Sequence, residues 1–375
     1  MDELLTRIDE RRGQTVNLIR RLVECESPSG DAAALARLAD LIAEETAGLA
    51  STRRWPGGHI RCDFDLPGRR RSGRLLALGH IDTVWPVGTL DTMPFEERDG
   101  RLWGPGVLDM KSGIAFFLTA MRVLRDLNLP ASRRVSLLLV ADEEVGSQTS
   151  RAITEREAKR SDAVLVLEPG TGLEGKLKTA RKGVGDYVIT VHGRAAHSGI
   201  DFAAGASAVV EVARQIERVA ALSDPARGVT LNPGIVEGGT RVNVVAAKAR
   251  VHVDLRVWRM ADARRVDRVL RRLKPVDPRC RIEVTGGLNR PAMERTKGVV
   301  RLFRLARGLA KGLGVDLEES STGGASDGNF TAGLGIPTLD GLGGVGEGAH
   351  APHESILVDR ITDRTALLAK LALHG

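Results

Sequence analysis

Three short apolar runs, LLALG at 75–79, LLLVA at 137–141 and AVLVL at 163–167, are separated by stretches whose apolar residues recur at helical spacing. A run of five with no polar alternation buries both of its faces, and such strands alternating with helices build a parallel sheet covered on both sides. An α/β fold with a mostly parallel sheet is therefore expected.

Residues 1–24 and 31–46 read as amphipathic helices separated by the turn SPSG. Two edge strands then precede RLLALGH, a helix over 111–127 leads to VSLLLVA, and a further helix leads to AVLVLEPG. Beyond this the pattern changes. GDYVITVHG reads as a strand, 204–222 as a helix, GVTLNPGIVEGG and VNVVAAKARVHVDLRV as a hairpin, 261–273 as a helix and CRIEVTGG as a strand. That β-α-β-β-α-β order is the ferredoxin-like α+β unit, which can stand on its own core. From residue 294 the helix-strand alternation returns, with a helix to 313, a strand near Val315, the Gly-rich turn TGGASDGNF, the strand IPTLD and a closing helix from 359. The expected organisation is a discontinuous domain, 1–181 and 292–375, interrupted by an inserted domain at 182–291. A length of 375 residues fits two cores.

The chain has 55 basic and 48 acidic residues, most of the cations being Arg. The basic groups at Arg53 and Arg54, Arg69–Arg71, Arg133 and Arg134, and 264–272 are short, dispersed and not interleaved with aromatics, which reads as solvated helix faces and loops and not as a nucleic-acid surface. No apolar run reaches the roughly 18 residues that span a bilayer, and the N-terminus lacks the apolar segment of a signal peptide. Cys25, Cys62 and Cys280 form no CxxC pair, so neither a disulfide framework nor a thiolate zinc site is expected. A cytoplasmic protein is the expectation.

In parallel α/β sheets ligands bind outside the carboxyl ends of the strands. There the sequence places His80 and Asp82, Asp109 in WGPGVLDMKSG, the carboxylates Asp142, Glu143 and Glu144, and Glu168. Carboxylates gathered at one rim repel one another unless they are paired or hold a metal. Histidine with Asp and Glu, and no Cys, suits zinc first, with cobalt or manganese as alternatives.

In order, GHIDTVWPVG, GPGVLDMKSG, ADEEVGS, LEP, GRAAHSG, GGASDGNF and GAHAPHE resemble the M20 family of co-catalytic zinc peptidases, most closely its glutamate carboxypeptidase branch. The resemblance covers almost the whole chain, inserted domain included. It implies two zinc ions per subunit, one held by His80 and Glu168, the other by Glu144 and His350, with Asp109 bridging. Asp82 would orient His80, and Glu143 would be the general base, kept off the metal. Neighbouring side chains of an extended segment point to opposite sides, so Glu143 and Glu144 share these duties only if the chain turns there. Asp142 has no assigned role beyond support or turn capping. Where relatives usually carry Asp or Asn three residues after the last zinc histidine, this chain has His353, so His350 and His353 compete for one ligand position, and the spacing to Glu354 favours His350.

The resemblance also implies that the inserted domain is a lid and dimerisation module. His197 would reach the partner subunit's site to hold an oxyanion, and Arg256, Arg290 and Asn243 would bind the substrate. The implied activity is amide hydrolysis releasing a C-terminal amino acid, glutamate from an N-acyl or folate-like conjugate. Alternatives are an aminoacylase, desuccinylase or dipeptidase of the same family and, lower, a binding protein of the same fold without activity.

Overall fold

The computed structural model describes residues 3–68 and 72–375; the first two residues of the expected N-terminal helix and the basic group at 69–71 lie outside them. The chain forms two compact units, one running to Thr179 and including Arg295–Thr322 and Ser326–Gly375, the other Ala180–Glu294 with Gly323–Ala325.

The first unit begins with α1 (Glu3–Glu10), α2 (Arg12–Glu24) and α3 (Ala32–Glu45). One continuous helix over 1–24 was expected. It breaks at Arg11, whose ψ of 4° ends the first segment, and Gly13 beside it is a weak helix former. Asp31 starts α3 by accepting the amides of Ala33 and Ala34. Then follow β1 (Ala50–Arg54), β2 (Ile60–Phe64), β3 (Arg74–His80), the small hairpin β4 (Glu96–Arg98) and β5 (Arg101–Trp103), α4 (Ser112–Asp126), β6 (Arg134–Val140), α5 (Arg151–Ala158), β7 (Ala163–Val166) and β8 (Leu177–Arg181).

The main sheet has the order β1-β2-β6-β3-β7 with one further short strand beyond β7. β3 is parallel to both β6 and β7, while β1 and β2 add antiparallel at one edge. β3 is buried at all seven positions, as its unbroken apolar run requires. α4 is buried almost all round and fills the centre of one covering layer.

The second unit contains β9 (Gly183–His192), α6 (Ala208–Ala220), β10 (Thr230–Gly238), β11 (Lys248–Val257), α7 (Met260–Leu270) and β12 (Arg281–Arg290). Its antiparallel sheet runs β10-β11-β9-β12, the ferredoxin-like arrangement. The apolar side of β11 (Val251, Val253, Leu255, Val257) packs with Val212 and Val219 of α6 and Val266 of α7 into a separate core. Gly323 and Gly324 belong to this unit because Arg256 and Arg181 donate to their carbonyls at 3.5 and 3.3 Å.

The first unit resumes with α8 (Lys297–Lys311), β13 (Glu319–Thr322), α9 (Gly328–Gly333), β14 (Thr338–Leu339), β15 (Gly346–Glu347), β16 (Ser355–Leu357) and α10 (Ile361–His374). β14 is the short strand that extends the main sheet, parallel to β7. The strand expected near Val315 is absent. Val315 instead donates its amide to Ala310 and closes the end of α8, and the strand comes later, at β13. Among the described residues no helix is long and apolar enough to cross a membrane.

Candidate metal centre

Adjacent parallel strands bring the site together. His80 ends β3, Glu143 and Glu144 follow β6, and Glu168 follows β7, so neighbouring strands deliver their loops to one rim. Asp109 stands in the turn before α4, with a cis peptide to Met110. His350 comes from the loop between β15 and β16, at a φ of 61°.

Two groups of donor atoms result, His80 with Asp109 and Glu168, and Asp109 with Glu144 and His350, each lying within 4.8 Å. Asp109 is common to both. Its Oδ1 is 3.2 Å from His80 Nε2 and its Oδ2 is 3.3 Å from His350 Nε2. His80 Nε2 is also 3.6 Å from Glu168, and His350 Nε2 is 3.2 Å from Glu144. His353 is exposed and belongs to neither group.

The electrostatics show a rim that calls for positive charge. Asp109 and Glu144 raise His350 to about 10. Burial disfavours charge on His80, yet the hydrogen bond to Asp109 and the nearby carboxylates of Asp82 and Glu168 outweigh burial and raise it well above 6.5. Burial acts against the Asp109 anion too, and its bonds with His350 and His80 nevertheless hold it well below the usual carboxylate range. Two His-carboxylate trios sharing one aspartate, without sulfur, fit a pair of divalent cations such as zinc.

The chain does turn after β6. Gly146 donates to the Glu143 carbonyl at 3.0 Å and Ser147 to the Asp142 carbonyl at 2.7 Å, with Gly146 and Ser147 both at positive φ. Glu144 joins a donor trio while Glu143, 8% exposed, stays outside both. The Asp82 carboxylate accepts the amides of Glu143 and Glu144, each at 3.2 Å, and the Ser29 hydroxyl at 2.7 Å. His80 itself is oriented mainly by the Asp82 main-chain oxygen, 2.9 Å from Nδ1. Asp142 takes the Thr149 amide and hydroxyl, both at 2.7 Å, which makes it the cap of the turn.

Sequence reasoning used Glu354 only as a spacing marker. It is fully buried and accepts from Trp85 Nε1 and the amides of Gly106, Leu108 and Asp109 at 2.8–3.0 Å, which holds the Asp109 turn. The signal was the acid directly after HAPH. Lys111, also buried, donates to the Cys25 carbonyl at 3.0 Å, and burial pulls its ammonium down to about 8.

In the second unit, His197 is exposed and its Nδ1 accepts the Gly199 amide at 3.1 Å, which puts the proton of the neutral ring on Nε2. Asn243 accepts the Ser198 amide at its main-chain carbonyl at 3.1 Å, beside the His197–Val244 bridge. Arg256 and Arg290 both face Val184, from opposite sides of β9, so they share one rung and one face of the sheet. Burial alternates along β11, which places that face opposite α6 and α7. Arg256 Nε is bound by both oxygens of Asp254 at 3.0 Å.

A parallel α/β rim that presents two carboxylate-histidine trios and an adjacent glutamate defines a metal-dependent hydrolase. The chain belongs to peptidase family M20/M25/M40, whose pattern matches residues 76–374. It is 29% identical over 367 residues, 96% of this chain and 88% of the other, to carboxypeptidase G2 of Pseudomonas sp. (strain RS-16). Among solved structures, aminopeptidase PepT from Bacillus cereus superposes with a TM-score of 0.78 at 21% identity, covering 96% of this chain and 99% of that one. The YXEP protein of Bacillus subtilis, a dinuclear metal binding peptidase from the M20 family, gives 0.72 at 14% identity, covering 97% and 98%.

Proposed function

We propose that this M20 metallopeptidase is a dizinc enzyme that hydrolyses an amide bond and releases a C-terminal amino acid, glutamate from an N-acyl or folate-like conjugate. The observation that carries the reading is Asp109 shared between two donor trios, with Glu143 beside them and outside both. His80, Glu168 and Asp109 would hold one cation, and Glu144, His350 and Asp109 the other. Bound divalent cations supply a lowered water pKa and a polarised scissile carbonyl. Glu143 takes a proton from the attacking water and delivers it to the leaving nitrogen. The Asp82 carboxylate, bonded to the Glu143 amide, keeps that acid in register.

His197, with its proton on Nε2, is suited to donate to an oxyanion. We assign this role in trans, within a homodimer formed through the inserted unit acting as lid. Supporting this, β10 is a sheet edge with Ile235 and Val236 exposed, and Val209 and Val210 of α6 are exposed as well. The substrate carboxylate is assigned to Arg256 and Arg290, with Asn243 as a polar contact, in line with the similarity to carboxypeptidase G2. The unpaired cysteines fit a cytoplasmic location.

A second reading, an aminoacylase or dipeptidase, draws on the Asp254 pair that already engages Arg256. Assays on an N-acyl-glutamate, an N-acetyl neutral amino acid and a dipeptide, after loading with zinc, cobalt or manganese, test the choice. The highest kcat/KM is expected for the acyl-glutamate with zinc. Preference for either other substrate would overturn the glutamate assignment.

A further inference from the structure

We propose that His59 and Thr149 are positioning residues for catalysis: a directed hydrogen-bond chain from the β1–β2 hairpin through Thr149 to Asp142 fixes the turn that carries Glu143 and Glu144. The inference rests on Glu143 as the proton carrier. None of the three residues belongs to a donor trio.

His59 lies in the turn between β1 and β2 and is 1% exposed. The hairpin presses on the end of β6. Gly58 has a φ of 92°, and a Cβ there would meet Leu35 Cβ at 3.1 Å and Ala141 Cβ at 3.4 Å. At this contact His59 Nδ1 accepts the Ala141 amide at 3.1 Å. The neutral ring therefore carries its proton on Nε2, which donates to Thr149 Oγ1 at 3.0 Å. The Thr149 hydroxyl then donates to Asp142 Oδ2 at 2.7 Å.

Every link points one way. The same Asp142 oxygen receives the amides of Thr149 at 2.7 Å and Ser150 at 3.3 Å, while the Asp142 carbonyl receives Ser147. Asp142 Oδ1 is buried without a hydrogen-bond partner among the described residues, so the carboxylate is anchored through Oδ2 alone. Burial keeps the imidazole below its ordinary pKa, in keeping with a ring that must accept at Nδ1. The turn is thus gripped twice, by Asp82 at the Glu143 and Glu144 amides and by this chain at Asp142.

Four variants separate positioning from plain stability. Thr149→Val keeps the shape and loses the hydroxyl, and Thr149→Ser restores it. His59→Gln keeps a donor near the Nε2 position, whereas His59→Asn keeps only the acceptor for Ala141. In the metal-free protein, Thr149→Val is expected to speed hydrogen exchange at Ser147, Thr149 and Ser150 by about 10- to 100-fold, with the β6 amides unchanged. With zinc and N-benzoyl-glutamate, kcat is expected to fall about tenfold or more while KM stays within about twofold and bound zinc is retained. Thr149→Ser and His59→Gln should approach the unaltered protein, and His59→Asn should resemble Thr149→Val. Unchanged exchange at the turn, or loss confined to melting temperature with normal kcat, overturns the proposal. A Glu143→Gln control separates the two readings, since an active control refutes the base assignment while the exchange data still decide the anchor.

Discussion

His80 Nδ1 lies 2.9 Å from the main-chain oxygen of Asp82 and 3.6 Å from its carboxylate. The carbonyl fixes the ring so that Nε2 faces Asp109 and Glu168, and the carboxylate is given over to the Glu143–Glu144 turn. Asp82→Asn leaves that carbonyl in place but sets an amide donor against the turn amides. Zinc binding at His80, Asp109 and Glu168 is expected to persist while kcat falls about 10- to 100-fold, checked by metal analysis and steady-state kinetics. Loss of metal with a normal turn would show that the carboxylate orients His80 after all.

Glu354 supplies the acceptor for three loop amides, those of Gly106, Leu108 and Asp109, and for an indole. Glu354→Gln turns one oxygen into a donor and leaves two buried donors unmatched. At roughly 1–3 kcal/mol each, the loss is about 2 to 6 kcal/mol in urea unfolding. Since Asp109 would serve both cations, zinc affinity is expected to drop by about 10- to 100-fold in a titration. Unaltered affinity would detach Glu354 from the site.

Burial lowers the His59 pKa from 6.5, although Asp142, Asp82 and Asp327 pull the other way. The unfolded chain then binds the proton more readily, so this histidine contributes stability that is full above about pH 6.5 and is lost as pH falls toward its folded value. His80 and His350 are raised and act in the opposite sense. The difference in unfolding free energy between the unaltered protein and His59→Gln isolates His59. It is expected to rise with pH below 6.5 and level off above. A flat difference would mean that His59 can be protonated in place.

A mixed-dimer experiment tests the proposal that His197 acts in trans. Chains carrying His197→Ala and chains carrying Glu143→Gln, each inactive alone, are expected to regain part of the activity when mixed, because one site of the heterodimer combines an intact lid with an intact base. No recovery after confirmed subunit exchange would leave His197 acting within its own chain or not at all.

The parallel core was legible because β3, β6 and β7 are buried on both faces and so carry no polar alternation. His80, Asp109, Glu144, Glu168 and His350 were legible because strand ends and motif order bring them to one rim. Other features depend on contacts distant in sequence. His59 meets Thr149 across 90 positions, and Glu354 meets Gly106 across 248, so no local pattern marks either. The break at Arg11 escaped because helix periodicity continues through it, and the strand expected near Val315 was misplaced because an apolar residue after a helix reads the same in a capping turn as in a strand.

The most direct measurement is turnover and bound zinc in the same preparation of Glu143→Gln. If Glu143 is the base, its place outside both donor trios lets it be lost without losing metal. Two zinc ions per chain are expected to remain while kcat falls by about 100- to 10,000-fold. Full zinc with near-normal turnover would contradict Glu143 as the proton carrier, and loss of zinc would place it among the ligands.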